Sequence, residues 1–185
     1  MARLDGKVAI ITVSGLPGSG TSTTCKLLQE KLGWPYVNAG DFFRLLATDH
    51  GISLAEMGRR AEADGQVDRQ LDERMVQLAR QESLLIMEGR LTGWMALRQG
   101  LPALKVWCHA PLEIRAGRVG HRDHQTPEEA VSAIAARERS EHQRYHRHHQ
   151  IDLDDLTLYD LVLDTAELSP EQVAARILAT LELPR

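Results

Sequence analysis

Cysteine is scarce in this sequence of 185 residues, which contains only Cys25 and Cys108. The two residues do not form a C-x-x-C pair, and no histidine or aspartate is spaced around either of them as a catalytic partner would be. Neither residue is therefore predicted to be a redox or catalytic thiol. Both are predicted to be small buried hydrophobes in a reducing compartment.

A long apolar segment is missing from the first residues. Residues 1–7 include Arg3, Asp5 and Lys7, and they contain no run long enough for a signal peptide or a membrane span. We therefore expect a cytoplasmic location and no membrane partner.

A surplus of positive charge is absent as well. The formal net charge is −4, which disfavours general binding to nucleic acids because such binding relies on a basic surface. The length and a hydrophobic fraction of 43% are typical of one globular domain with its own core. A monomer is the default expectation.

A lysine is missing from an otherwise complete phosphate-binding pattern. A glycine-rich segment follows the apolar run of residues 8–13 and matches G-x-x-x-x-G-K-[ST] except at the lysine position, which Thr21 occupies. In this pattern the backbone N–H groups and the helix dipole face a polyphosphate. The alternative is an ordinary Gly/Pro/Ser loop. The predicted phosphate-binding residues are Gly15, Pro17, Gly18, Ser19, Gly20, Thr21, Ser22 and Thr23.

Short apolar runs alternate with helical patterns along the rest of the chain. We predict strands at residues 8–13, 34–38, 84–87, 104–109 and 161–163. Residues 41–80 form a helical insertion between the second and third strands. The insertion is longer than a crossover needs, which favours a mobile subdomain that closes over a substrate.

Charged residues follow the second and third strands. Gly40, Asp41 and Arg44 begin the helix after the second strand, and Glu88 and Arg90 leave the third. Because ligands bind outside the carboxyl ends of parallel strands, these residues are candidates for holding a second phosphate or a nucleoside, and Glu88 for holding Mg²⁺ or its water. The alternatives are a helix cap at Asp41 with a solvated Arg44, and a structural ion pair between Glu88 and Arg90.

Residues 115–149 carry seven arginines against five acidic residues, in a chain that is acidic as a whole. A basic helical hairpin is typical of a lid that brings arginines to transferring phosphates. The alternative is a solvated pair of charged helices. His142 and His146 have no third ligand at a matching spacing, so no physiological metal site is predicted there. The candidate catalytic residues are Arg118, Arg122, Arg137 and Arg144.

Four motifs carry a resemblance to a known family: the loop without lysine, residues 39–44 (AGDFFR), residues 88–94 (EGRLTGW) and residues 151–155 (IDLDD) running into Tyr159-Asp160-Leu161. With them the sequence resembles the P-loop nucleoside monophosphate kinases, and within them the small cytidylate kinases of archaeal type. Threonine is the usual residue at the lysine position in that family. Arg118 and Arg122 also look like the arginine pair that follows the fourth strand in adenylate kinases.

The resemblance implies an α/β fold: a three-layer P-loop NTPase fold with a five-stranded parallel sheet. It implies one kinase domain with a core of residues 1–40, 81–118 and 151–185, a monophosphate-binding insertion at 41–80 and a lid at 119–150. The implied reaction is ATP + CMP ⇌ ADP + CDP, with dCMP as a second acceptor and with ATP and Mg²⁺ as cofactors. The partners would be small nucleotides.

The same resemblance implies a role for each candidate residue. The loop would hold the ATP phosphates, with Ser22 on Mg²⁺. Arg44 and Arg90 would hold the monophosphate, and Asp41 and Glu88 would hold polar groups of the acceptor or waters on the metal. The four lid arginines would act on the migrating phosphoryl group. Residues 58–60 and 63–66 and the histidine-rich lid depart from the family pattern, which weakens the choice of nucleobase.

Other functions stay open at this point. A kinase for AMP, UMP or a shikimate-like small molecule would share the loop and the lid. A non-catalytic P-loop regulator or GTPase-like switch is favoured by the missing lysine, although the chain has no N-K-x-D guanine signature and a switch needs no basic lid. An RNA-processing factor would need a basic surface outside the lid.

Overall fold

The computed structural model describes residues 9–182 and contains a five-stranded sheet. All strand pairs are parallel, and the strand order is β2-β3-β1-β4-β5. Val8, which opens the predicted first strand, lies outside the described residues. The strands are β1 (Ile10–Gly15), β2 (Tyr36–Asn38), β3 (Leu85–Glu88), β4 (Ala103–His109) and β5 (Leu161–Asp164).

Eight helices connect and cover these strands within the described range. The short helix α5 has no counterpart in the prediction. The helices are α1 (Thr21–Leu32), α2 (Ala39–Asp49), α3 (Leu54–Ala63), α4 (Gln66–Gln81), α5 (Thr92–Arg98), α6 (Leu112–Asp123), α7 (Pro127–His149) and α8 (Pro170–Glu182).

Helices pack on both faces of the sheet, and each face has its own apolar core. On one face Met75 of α4 and Met95 of α5 are buried against the strands. On the other face Leu28 of α1 and Ile177 of α8 are buried, together with both cysteines, which are free thiols. The three-layer α/β fold and the burial of the cysteines are therefore confirmed.

Local signals set the helix ends. Gly33 has a φ of 67° and donates its N–H to the carbonyl oxygen of Gln29, as a C-terminal cap does. Thr126 and Glu129 form a capping box at the start of α7. None of the helices described in residues 9–182 is long and apolar enough to cross a membrane.

Two separate groups of helices cover the residues for which an insertion and a lid are predicted, and the predicted lid boundary at residue 119 falls within α6. Helices α2, α3 and α4 lie between β2 and β3 in the chain, and α6 and α7 form a hairpin around a small core that includes Val119 and Ile134. The two groups touch, since Ser140 on α7 donates a hydrogen bond to the Glu62 carboxylate on α3. Helices α3 and α7 are therefore in contact with each other.

Candidate functional site

The glycine-rich loop between β1 and α1 is packed too closely to admit side chains at two positions. A Cβ atom at Gly15 would lie 2.3 Å from Ser19 Oγ, and one at Gly18 would lie 2.5 Å from the carbonyl oxygen of Arg115. Gly18 and Gly20 also have φ angles of 84° and 83°, which favour glycine. The sequence needs these glycines because the backbone curls tightly at the start of α1.

Side chains hold the loop by its carbonyl groups. Ser19 Oγ donates to the carbonyl oxygen of Leu16 at 2.7 Å, and Thr165 Oγ1 donates to that of Ser19 at 3.0 Å. Arg115, which is buried, donates from Nη1 to the carbonyl oxygen of Pro17 at 3.2 Å. Helix α1 has no side-chain N-cap, so its first N–H groups are available to an anion.

Glu88, at the end of β3, accepts four hydrogen bonds. Its Oε1 atom accepts from Thr21 Oγ1 at 2.7 Å and from Ser22 Oγ at 2.6 Å. Its Oε2 atom accepts from Asn38 Nδ2 at 2.6 Å and from the Tyr36 hydroxyl. Burial, followed by the hydrogen bond to Glu88, raises the Tyr36 pKa well above its ordinary value. The carboxylate therefore ties the phosphate loop to β2 and β3.

Arg90 joins the phosphate loop to the long helix α7. Its Nη1 atom donates to the carbonyl oxygen of Gly15 at 2.7 Å, and its Nε atom donates to Glu141 Oε2 at 2.9 Å. The other oxygen of Glu141 accepts from Arg137 Nε at 2.8 Å. Burial acts to raise the Glu141 pKa, but the two arginines outweigh it and lower the pKa to about 2. The structure thus pairs Arg90 with Glu141 rather than with Glu88.

The two candidate arginines of α6 have different surroundings. Arg118 donates from Nη1 to the carbonyl oxygen of Gly18 at 3.3 Å and from Nη2 to that of Thr165 at 2.6 Å. It therefore lies against the phosphate loop. Arg122 is exposed and forms a two-pronged ion pair with the neighbouring Asp123.

Asn38, and not Asp41, caps helix α2. The Asn38 side chain accepts from the N–H of Gly40 at 2.7 Å. Asp41 pairs with Arg44 one turn later, and both side chains are exposed. A Cβ atom at Gly40 would lie 3.5 Å from Arg44 Nη1, so the guanidinium lies over the start of the helix. The Arg44 group is therefore open to an anion at the carboxyl end of β2.

Arg144 lies apart from the phosphate loop. It is buried on α7, and its Nε atom is 3.0 Å from Asp68 Oδ2 on α4. Its Nη2 atom donates to the Tyr145 hydroxyl at 2.9 Å, and its guanidinium carbon is 5.9 Å from the centre of the Phe43 ring on α2. Arg144 therefore contacts the predicted insertion through Asp68 and Phe43.

Sequence reasoning missed several residues of this region. Asn38 ends β2 and Thr165 follows β5, so the rule that ligands gather at the carboxyl ends of parallel strands could have found both. Tyr36 is the first residue of β2, and this rule does not select it. Glu141 is four residues after Arg137, a spacing that predicts a pair on one helix face. Asp68 gives no comparable signal, since its partner Arg144 is distant in the sequence.

Two acidic residues that the sequence spacing does not select lie close to His142. One ligand atom each from His142, Asp152 and Asp154 lies within 4.8 Å of the others, because the segment after α7 folds back along the helix. Both carboxylates are exposed, and such groups commonly cluster without a metal ion. We therefore assign no metal to them.

The order of the strands and the loop between β1 and α1 define the class: this is a P-loop NTPase fold. Solved structures with the same fold include shikimate kinase from Bacteroides thetaiotaomicron, with a TM-score of 0.64 and 15% identity over 95% of this chain and 99% of that one. Shikimate kinase from Aquifex aeolicus has a TM-score of 0.57 and 19% identity over 94% and 96% of the two chains. At these identities the likeness shows the fold alone.

The chain belongs to the cytidylate kinase-like family, whose model matches residues 10–167. It is 43% identical over 173 residues to the cytidylate kinase of Pyrococcus abyssi, covering 94% of this chain and 93% of that protein. It is 42% identical over 165 residues to the cytidylate kinase of Methanocaldococcus jannaschii, covering 89% and 92%. The family resemblance noted in the sequence is therefore confirmed.

Proposed function

We propose that this protein is an ATP-dependent cytidylate kinase. It would transfer the γ-phosphoryl group of ATP to CMP, giving ADP and CDP, and would accept dCMP as a second substrate. The relatives that share more than 40% of its residues carry the name of this activity. The observation that carries the proposal is the hydrogen bond that Arg90 donates to the carbonyl oxygen of Gly15. It supports the proposal because a cation beside the first residue of the phosphate loop would be near enough to bind a second phosphate.

The roles of the residues follow from their positions. The backbone of residues 15–23 would bind the donor phosphates, and Arg118 would steady the loop from the side of Thr165. Arg44 and Arg90 would bind the acceptor phosphate. When the hairpin of α6 and α7 moves against the substrates, Arg122 and Arg137 would reach the migrating group. Such a reaction depends on alignment and on neutralised charge, because the acceptor is already an anion.

The phosphoryl transfer itself needs no protein base. An oxygen of the acceptor phosphate forms a bond to the γ-phosphorus, and the bond from that phosphorus to the bridging oxygen of ATP breaks, so that ADP leaves with the electron pair. The negative charge that moves between the phosphates would be met by the guanidinium groups.

Mg²⁺ fits the residues at the start of α1. The Ser22 hydroxyl would hold the ion, and Glu88 would orient Ser22 through the hydrogen bond that it accepts from this hydroxyl. Both Glu88 oxygens already accept two donors each, so we assign Glu88 to the waters of the ion and to Ser22 rather than to a direct bond. The ion would neutralise phosphate charge when bound.

We also propose a monomer in the cytoplasm that binds no nucleic acid. The two buried free thiols suit a reducing compartment. The net charge of −4 suits a small-molecule enzyme better than a protein that coats a nucleic acid.

The test is ADP release from ATP and Mg²⁺ with CMP, dCMP, UMP, AMP or GMP as acceptor. We expect release that depends on CMP or dCMP. Release that is independent of the acceptor would contradict the kinase function and favour an ATPase or a switch. A preference for AMP or UMP would contradict only the choice of cytosine.

A further inference from the structure

Asp68 and Arg144 form a buried ion pair whose facing atoms are not hydrogen-bonded. The residues are 4% and 8% exposed, and Asp68 Oδ2 lies 3.0 Å from Arg144 Nε. Neither atom has a hydrogen-bond partner within the described residues 9–182. Buried charges are ordinarily both paired and hydrogen-bonded, because leaving them unsatisfied is costly. This pair therefore offers an acceptor and a donor to a ligand that aligns with both.

The pair lies between the two groups of helices that border the site. Asp68 is in the first turn of α4, and Arg144 is one turn, about 5 Å, beyond Glu141 on α7. Glu141 holds Arg90, the proposed ligand of the acceptor phosphate. The pair therefore lies about one helical turn along α7 from the residue that holds Arg90.

We propose that Asp68 and Arg144 recognise the cytosine base of the acceptor nucleotide. The inference rests on the proposed function and names the residues that choose the base. Asp68 would accept a hydrogen bond from the exocyclic N4 amino group, and the Arg144 guanidinium would donate to N3 and O2. Phe43, whose ring lies 5.9 Å from the guanidinium carbon, offers an aromatic face beside them.

The chemistry of the pair matches cytosine and opposes uracil. Cytosine presents a donor at N4 next to acceptors at N3 and O2, and a carboxylate is a suitable acceptor for N4. Uracil presents an acceptor at position 4 and a donor at N3, so the carboxylate would face an oxygen and the guanidinium a hydrogen. Such a mismatch rejects a competitor through unpaired buried groups, which is a strong form of discrimination.

The other groups around the pair do not supply this pattern. His149 Nε2 is 3.9 Å from Asp68 Oδ2, and His149 Nδ1 is 3.5 Å from Asp72 Oδ2. The Tyr145 hydroxyl accepts the bond from Arg144 Nη2. The base would enter as α4 and α7 separate, and that movement breaks no aligned hydrogen bond between Asp68 Oδ2 and Arg144 Nε.

The test measures the affinity for CMP and for UMP by titration calorimetry, with the wild-type protein and Asp68→Asn. The amide can donate to the uracil oxygen and loses half of its acceptor capacity toward N4. We expect the preference for CMP over UMP to fall by about ten- to hundredfold. Glu73→Gln is the matched control, since it makes the same change at an exposed position of α4 and is expected to keep the wild-type preference.

A second variant covers the case in which Asp68→Asn does not fold. Asp68→Asn combined with Arg144→Gln removes both buried charges and leaves no unpaired ion, so it keeps the fold while it loses the same preference. Equal weakening of CMP and UMP in a folded variant would show that the pair only ties α4 to α7, and would overturn the inference.

The outcome separates this inference from the proposed function. A wild-type protein that makes no CDP but prefers CMP in the titration, and loses that preference in Asp68→Asn, would contradict the kinase activity and support base recognition. A wild-type protein that makes CDP, with an unchanged CMP preference in the variants, would contradict base recognition alone.

Discussion

Thr21 Oγ1 donates a hydrogen bond of 2.7 Å to Glu88 Oε1. The residue at the lysine position of the phosphate loop is therefore directed to the end of β3, where Ser22 contacts the same oxygen. The loop obtains its nearby positive charge from other elements: Arg90 after β3 and Arg118 on α6 both donate to loop carbonyl groups. These two arginines can supply the positive charge that lysine provides in other phosphate loops, so a kinase can work with threonine at this position.

Replacing Thr21 by lysine tests where the charge comes from. We expect Thr21→Lys to keep kcat/KM for ATP within about tenfold of the wild type, because the new ammonium can pair with Glu88 while the arginines keep their places. Thr21→Val is the companion variant: it removes one donor from Glu88, and we expect it to cost about 1 kcal/mol of stability. A folded Thr21→Lys protein with a loss of several hundredfold would contradict this explanation.

Gly18 in the phosphate loop and Gly33 at the end of α1 differ in what an added methyl group would contact. Gly18→Ala places a Cβ atom 2.5 Å from the Arg115 carbonyl oxygen, so we expect ATP affinity to fall at least tenfold as the loop is pushed out of shape. Gly33→Ala is the matched control, since its φ is also positive, at 67°, but no atom lies within 4 Å. It should lose about 1 kcal/mol in urea unfolding and keep the ATP affinity. Equal ATP affinities in the two variants would argue against a tight cradle.

Arg137 tests the role of the lid in turnover. We expect Arg137→Ala to lower kcat by about a thousandfold, as the loss of an arginine that meets transition-state charge does in other phosphoryl transfers. Arg139→Ala removes an exposed arginine two residues away and is expected to leave kcat unchanged. Steady-state ADP release with CMP measures both, and a kcat for Arg137→Ala near that of the control would remove Arg137 from the mechanism.

Glu141 predicts a pH dependence of stability. Its pKa is lowered from 4.5 to about 2 in the folded protein, so its ion pairs stabilise the fold above pH 4.5 and lose this effect as the pH falls toward 2. The shift corresponds to roughly 3 kcal/mol. We expect Glu141→Gln to be less stable than the wild type at pH 7 and the difference to shrink by pH 3.

Urea unfolding at pH 7, 5, 4 and 3 measures this difference. Glu128→Gln, an exposed change on the same helix, serves as the control and should follow the wild type at every pH. A constant gap between wild type and Glu141→Gln across this range would show that the carboxylate is not held ionised by Arg90 and Arg137.

Much of the fold could be predicted because its signals are local. The five strands are short apolar runs, and Gly33 and the capping box at Thr126 mark helix ends in the sequence itself. Helix α5 was missed because seven residues span only two turns, too few to show a helical period.

The pairing of side chains was less accessible from the sequence. The rule that ligands gather at the carboxyl ends of strands selects Glu88 and Arg90. It does not predict which side chains form hydrogen bonds or ion pairs with them. Glu141 lies 51 residues from Arg90, and Asp68 lies on a different helix from Arg144. Such pairs depend on how α4 and α7 pack, which the sequence pattern of either helix alone does not determine.

The most direct test of the central claim follows the label of γ-³²P-ATP in the presence of Mg²⁺ and CMP. After separation of the nucleotides, we expect label in CDP, in an amount equal to the ADP formed, and little label in inorganic phosphate. Label that appears only in inorganic phosphate, at a rate that CMP does not change, would contradict the central claim.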